Sequence, residues 1–332
     1  MIYMLRNLLL LSLALVLALV PLSGSAKMRV NIASVYAPGA PVHAGLEKFK
    51  ELAESRSNGE IEVLLHVSGA MGGERDVFEA MSTGAVEMGA MGSGDVAMFF
   101  PRYFAFEVPY VLRDKSHFWK FWNGPIGKGI NQMVLDRKGV MTVGIVYRGA
   151  RYLTANRPVR DPADVKGLKI RLPEIKAWIK IWKQLGALPV VVAFPEVYMA
   201  LKTGVCEAQE NPLESIYAYK FYEAQKYLIA TNHVFSTAKY QVSKQWFDTL
   251  ERTERKLILT AWKDAAKYAN GMATEADARF LKELQARGMT LVEPDRAAFR
   301  NAVQPALEDM KEDLWTPGLY QQIVGIIAQE PL

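Results

Sequence analysis

Short runs of alternating apolar and polar residues recur along the chain, separated by longer runs of helical spacing. Met28 to Ala33 alternates as a strand, and Pro38-Gly39-Ala40-Pro41 breaks it. Leu46, Phe49 and Leu52 then fall at helical spacing within a predicted helix from about His43 to Arg56. Asn58-Gly59 turns the chain into a second strand, Ile61 to Leu65. Gly69 to Gly73 makes a glycine-rich loop, a helix begins near Glu74, and Val86 to Met91 is a third strand.

The same rhythm returns after Val140. Val140 to Val146 and Leu168 to Leu172 are predicted strands, with a loop from Pro158 to Asp164 between them. A helix from Ala177 to Leu185 carries Trp178 and Trp182 on one face, where core packing is the expected role for both. Pro189 to Ala193 is an apolar strand, and Glu196 to Thr203 is a helix closed by Gly204. Leu250 to Arg287 is one long helical stretch, interrupted by Gly271 and ended by Gly288 before a late strand, Met289 to Val292. The tail from Trp315 to Leu332 reads as a helix against one lobe. Strands alternating with helices predict an α/β fold around a largely parallel sheet. Two such units with no Ser/Pro-rich linker predict lobes that the chain crosses between more than once, with a cleft where they meet.

The first 26 residues follow another pattern. Arg6 is their only charge, Leu8 to Val20 is apolar except for Ser12, and Gly24-Ser25-Ala26 precedes Lys27. The apolar run is shorter than the ~20 residues of a spanning helix. The segment is predicted to be a signal peptide of an exported, periplasmic protein, cleaved after Ala26. Beyond it the 332-residue chain is ordinary for a globular protein of about two domains, 50% hydrophobic and 23% charged. The net charge of +5 comes without a dense Lys/Arg block, so no nucleic-acid tract is expected. Cys206, the single cysteine, excludes an intramolecular disulfide.

Enzyme signatures are weak. His43, His66, His117 and His233 have no metal-ligand spacing, so neither a metal nor a cofactor is expected. Gly92-Ser93-Gly94 lacks the frame of a nucleophile elbow, and Gly124 to Gly129 has the wrong spacing for a phosphate loop and reads as a turn before a helix. More informative is the stretch from Arg148 to Asn211. Arg151 follows a strand and Gly149-Ala150, Arg171 lies on the polar face of Leu168 to Leu172, and Asn211 precedes Pro212 where a loop opens a helix. Singly, each suits a solvated edge or a turn. Together, two guanidinium forks and an amide could hold a carboxylate in a fixed plane.

Several ordered motifs surround these residues. Gly149-Ala150-Arg151, Asn156-Arg157-Pro158-Val159 and Asp164 through Pro173 come first. Leu185-Gly186-Ala187, Phe194 through Leu201, Gln209-Glu210-Asn211-Pro212 and Thr231-Asn232-His233 follow. With Met71 to Arg75 and Phe100-Pro101 through Pro109-Tyr110, the chain from about Asn31 to Asp295 closely resembles the solute-binding subunits of tripartite ATP-independent periplasmic (TRAP) transporters, the DctP family.

The resemblance implies a two-lobe, type II-like periplasmic binding protein fold with a ligand cleft and a long inter-lobe helix. Lobe I would comprise 27–148 and about 237–275, lobe II 149–236 and about 276–310, and 311–332 would form a C-terminal segment. It implies that Arg171 pairs with a ligand carboxylate, that Arg151 assists, and that the Asn211 amide bonds the same group. Phe194 would line the pocket and Glu74 would offer a polar contact from the first lobe. Gly92, Asp95, Ile175 and Tyr36 are further pocket candidates. Sialic-acid-binding members carry an acid and an arginine before the Phe-Pro pair, where Gly92 and Asp95 stand here, which argues against that ligand. Met88, Met91, Val191, Val192 and Ile175 tilt the expectation toward aromatic or aliphatic carboxylates, including 2-oxo acids, over a sugar acid or dicarboxylate. The implied role is capture of an organic anion for membrane partner subunits, without catalysis. A sensing receptor subunit and, last, an exported enzyme are the alternatives.

Overall fold

The computed structural model describes residues 27–328, so the expected signal peptide and its cleavage site lie outside the described residues. The first half of the chain forms β1 (Met28–Ser34), α1 (Pro41–Arg56), β2 (Ile61–His66), α2 (Glu74–Ser82), β3 (Met88–Met91), α3 (Gly94–Phe99), α4 (Lys115–Asn123) and α5 (Pro125–Lys138). Next come β4 (Val140–Ala155), β5 (Lys169–Leu172), α6 (Lys176–Gln184), β6 (Leu188–Val191), α7 (Val197–Lys202), β7 (Ala208–Pro212), α8 (Leu213–Ala218), β8 (Tyr227–Ile229) and β9 (Phe235–Ser243). The chain continues through α9 (Lys244–Phe247), α10 (Arg252–Ala286), β10 (Thr290–Val292), α11 (Arg296–Asp313) and α12 (Leu319–Val324). No helix among the described residues is long and apolar enough to cross a membrane.

The strands run in the order β2-β1-β3-β9-β4-β7-β5-β6, with β8 and β10 branching from β4. The βαβ units are parallel, as the alternation of strand and helix predicts: β1 pairs with β2 and β3, and β5 pairs with β6 and β7. The expectation of a largely parallel sheet holds only within each half. Long β4 pairs antiparallel with β9 from Val140 to Ala150 and with β7 from Arg151 to Ala155. A strand that leaves one set of parallel strands and another that returns must run in opposite directions, which makes the join antiparallel. Gly149 marks the change of partner. Its φ is +85°, and a Cβ there would come within 2.5 Å of the Asp277 carboxylate.

The third crossing element is α10, whose 35 residues span about 52 Å. Its first half buries Ile258, Trp262, Ala265 and Ala269 against α1 and β9. Its second half buries Ala276, Phe280 and Leu284 against α8 and β8. The helix passes unbroken through Gly271, contrary to the expected interruption, and a side chain there would meet open space. Trp262 is fully buried between Phe49, stacked at 3.9 Å, and Tyr240 at 4.6 Å.

At the C-terminus, α11 packs on α6, while α12 reaches α4, where His117 Nε2 lies 2.8 Å from the Ile323 carbonyl oxygen. From Trp315 onward the tail also meets the first half where Thr316 N donates to the Arg102 carbonyl at 2.9 Å. Trp178 and Trp182 are both buried, in line with the core reading. Replacing Trp262 with alanine should lower stability by about 3–5 kcal/mol, read as a fall in the chemical-denaturation midpoint, because it empties a closed aromatic stack.

Candidate functional site

The loops at the ends of β3 and β5, the middle of β4 and the start of β9 converge on a cavity of about 280 Å³. Of the expected site residues, Arg171, Arg151, Asn211, Phe194, Glu74, Gly92, Ile175 and Tyr36 all line it. Asp95 does not. It is fully buried and gives both carboxylate oxygens to Lys239 Nζ, at 3.0 and 2.9 Å, and one to Gln241 at 2.8 Å. A lysine side chain pointing inward from β9 requires a counter-charge, so Asp95 is part of the core and not of the pocket wall.

Three arginines enter the cavity from strands, and they differ in what neutralises them. On β4, Arg148 pairs with Glu214 through Nε at 2.8 Å and donates to Ser215 Oγ at 2.7 Å. Arg151 meets the Glu210 carboxylate through Nε and through Nη2, the latter at 2.9 Å from Oε1. Arg151 also donates to Asn211 Oδ1 at 3.0 Å and to Ser236 Oγ at 3.1 Å. Its guanidinium lies 4.8 Å from the centre of the Trp178 ring. Arg171 on β5 is 2% exposed, and its Nε donates to the Val192 carbonyl at 2.9 Å. Among the described residues it has no ion-pair partner. Burial lowers its pKa to about 10, so the guanidinium still carries its charge at neutral pH. Phe194 sits over it, 5.7 Å from the guanidinium carbon to the ring centre.

Glu210 explains why Arg151 is held so firmly. Burial favours its neutral form, but the Arg151 charge and the bond from His233 outweigh burial and hold its pKa at about 2. His233 Nε2 lies 3.0 Å from Glu210 Oε2, and its Nδ1 lies 2.8 Å from Thr231 Oγ1. Asn211 completes the group from the end of β7, a strand where the sequence suggested a loop. Its Nδ2 donates to Gln209 Oε1 at 2.6 Å, which leaves one N–H of the amide for the cavity.

The opposite wall is built around acids. Glu74, the first residue of α2, accepts a hydrogen bond from Gly92 N at 2.7 Å. A Cβ at Gly94 would lie 2.4 Å from Glu74 Oε2, so these glycines make room for the carboxylate. The Tyr36 ring stacks 4.5 Å from Arg148, and its buried hydroxyl has no partner among the described residues. Glu107 is 3% exposed and accepts from Ser93 Oγ, from Ser236 Oγ at 3.2 Å and from Thr237 N at 3.1 Å. Burial pushes its carboxyl above the usual range, against those bonds. At the rim, Arg75 donates to Glu174 Oε2 at 2.9 Å across the opening.

Sequence reasoning missed Arg148, Glu107, Ser93, Ser236 and Thr237 as cavity residues. Glu107 carried a signal, a lone carboxylate inside the apolar run Phe104 to Tyr110. The β9 residues carried none. Trp178 was expected only to pack, and it does pack, yet one edge of it also lines the cavity. Val191 and Val192 reach the cavity, whereas Met88 and Met91 lie wholly in the core. Cys206 is buried beside Arg171 without lining the cavity.

Residues 32–313 match the family model described as bacterial extracellular solute-binding protein, family 7. The chain belongs to this family. It is 32% identical to the C4-dicarboxylate-binding periplasmic protein DctP of Rhodobacter capsulatus, over 85% of this chain and 86% of that one. Among solved structures, a TRAP periplasmic solute-binding protein from Bordetella bronchiseptica, with density assigned as pantoate, superposes with a TM-score of 0.83. The two are 33% identical, over 90% of this chain and 99% of that one. A TRAP solute-binding protein from Polaromonas sp. JS666 bound to D-erythronate gives a TM-score of 0.85 at 28% identity, over 91% and 100% of the two chains. Members of this family are named as solute-binding proteins rather than enzymes.

The depressed pKa of Glu210 fixes a direction in pH. Its ionised form is favoured in the folded state, so its stabilising contribution is present above the ordinary carboxylate range and fades as pH falls from about 4.5 toward about 2. Glu210→Gln should flatten the acid limb of the stability profile. At pH 7 it should also cost about 3–5 kcal/mol, because Arg151 is left buried without its counter-charge. Chemical denaturation from pH 2 to 7 measures both.

Proposed function

We propose that the protein is the exported solute-binding subunit of a TRAP transporter and that it captures an organic-acid anion by one carboxylate. The observation that carries this reading is Arg171, a buried guanidinium at a cavity wall with no counter-charge among the described residues. A buried, unpaired charge is costly, and an anionic ligand removes that cost. Arg151 is already neutralised by Glu210, so its part is to fix the Asn211 amide and offer a secondary contact rather than to supply the second charge of a clamp.

The remainder of the cavity favours a chain with hydroxyls over a purely apolar one. Ile175, Val192 and Phe194 give one apolar side, which suits part of the aliphatic expectation. Glu74, the free Tyr36 hydroxyl and Ser93 face them with hydrogen-bonding capacity that a hydrocarbon would leave unmet. Pantoate and D-erythronate, named for two related structures, are both hydroxylated monocarboxylates. Capture proceeds by closure of lobe I, residues 27–148 and 237–275, on lobe II, residues 149–236 and 276–310, about the β4, β9 and α10 crossings. A ligand touching both lobes binds the closed state more tightly and so selects it. The Arg75–Glu174 pair and the bond from the Tyr219 hydroxyl to the Val35 carbonyl already bridge the opening. Delivery is to membrane subunits of the transporter, after export to the periplasm and cleavage behind Ala26.

Thermal unfolding against an organic-acid library tests this reading. A ligand at 100 times its dissociation constant should add about 2.7 kcal/mol of stability. Arg171→Ala should weaken the best carboxylate by a hundredfold or more in calorimetric titration, since it truncates a buried charge pair. An unchanged affinity rejects the anchoring role, and consumption of the ligand rejects a purely binding role.

A further inference from the structure

Glu107 makes no contact with the carboxylate anchor, yet it lies on the cavity wall and takes hydrogen bonds from two of its hydroxyls. Three donors converge on the two Glu107 oxygens, the two hydroxyls and the Thr237 N–H, so each hydroxyl spends its one proton there. Ser93 Oγ donates to Glu107 Oε2, and Ser236 Oγ donates to Oε1 while accepting from Arg151 Nη1. Both serines line the cavity, and what they have left to offer is lone pairs. Thr237 is fixed in the same way, its N–H on Glu107 and its Oγ1 accepting from Trp122 Nε1 at 3.1 Å. The second oxygen of Glu74, beside Gly94, adds another acceptor to this wall.

We propose that Glu107 is a positioning residue for ligand specificity: by binding the Ser93 and Ser236 hydroxyl protons it makes the part of the cavity wall that these serines form a surface of acceptors. Such a wall recognises a ligand that donates, so the substrate class is a monocarboxylate bearing hydroxyls on its chain. A second carboxylate would bring only acceptors and a like charge toward Glu74 and Glu107. Hydrocarbon in that place would strip the serine lone pairs of water and return nothing. Among the arginines that line the cavity, Arg75, Arg148 and Arg151 are each paired with an acid, which leaves Arg171 as the guanidinium free for an anionic group.

This inference rests on the organic-acid reading of the same cavity, and the test separates the two. Affinities are measured for matched acids of equal carbon number, D-erythronate with butyrate and D-galactonate with hexanoate, with succinate as the dicarboxylate. The wild-type protein should prefer the hydroxylated member of at least one pair by tenfold or more. In Glu107→Gln the new amide donates to Ser93 and turns its hydroxyl proton into the cavity. The hydroxylated acid should then lose about tenfold or more, the deoxy acid should stay within about threefold, and succinate should bind better than to the wild type. A purely structural role would weaken both members of a pair by the same factor, and that result overturns the proposal. Ser93→Ala, which leaves the buried carboxylate in place, carries the same expectation should Glu107→Gln fail to fold. A hydroxyl preference that survives Ser93→Ala also overturns it. Binding of no acid in an Arg171-dependent manner would instead defeat the organic-acid reading itself.

Discussion

The site depends on the ion pair between Arg151 and Glu210. Two arginines brought together without an acid between them would repel in a buried space. Glu210 takes up one of the charges, with His233 holding its other side, and so allows Arg171 to remain buried, charged and unpaired. The pair also sets geometry. It spans β4 and β7 in the register that places Tyr152 opposite Asn211, and it orients the Asn211 carbonyl toward Arg151 and its amide nitrogen away. The result is one net positive charge at a defined place, prepared before any ligand arrives. A guanidinium held in this way would not need to break other pairs to meet an anion.

The same elements that join the two halves of the fold carry the site. Arg148 and Arg151 flank the point where β4 changes partners, and Ser236 and Thr237 sit on β9 across from it. A side chain there faces both halves, so a ligand held by it feels any change in their relative position. The two cores on α10 meet near Gly271, level with this change of sheet, and Asn270 ties the helix to β4 through the Ile145 carbonyl and the Tyr147 N–H. Motion of one half against the other and occupancy of the cavity therefore act on one small set of residues. The outer packing, exemplified by the Trp262 stack, lies away from that set and keeps each half rigid.

The fold was legible in the sequence where burial is regular. β1, α1 and β2 alternate or repeat because each presents one face to a core, and their bounds follow from the pattern to within a few residues. β7 and β9 were not legible, since both are buried on every side and carry polar residues satisfied by one another: Gln209 by Thr154, Lys239 by Asp95, Asn211 by Arg151. Periodicity fails when polar groups are buried in pairs. The Asp95 error has the same origin. Alignment with the family put this acid at a pocket position, but its partner lies 144 positions away on a strand that no local pattern announces. Arg151 and Arg171 stood out as paired-donor side chains at strand positions, and a family resemblance gave them their roles. The difference between them, one paired and one free, needed the fold.

That difference also bears on specificity. Charge alone would admit any small acid, because a guanidinium forms good bonds to any carboxylate. Discrimination among acids must come from atoms that the anchor does not touch, and here those atoms are acceptors gathered around Glu74 and Glu107. A buried acceptor left without a donor costs more than a satisfied one gains, so the wall acts chiefly by penalising ligands that bring nothing to donate. The apolar side formed by Ile175, Val192 and Phe194 makes no such demand and tolerates methyl groups or bare carbon. Under the proposed roles, a carboxylate anchor, an acceptor surface and an apolar side would impose three separate requirements, of which the acceptor surface is the most demanding because only hydrogen-bond donors in the right place satisfy it.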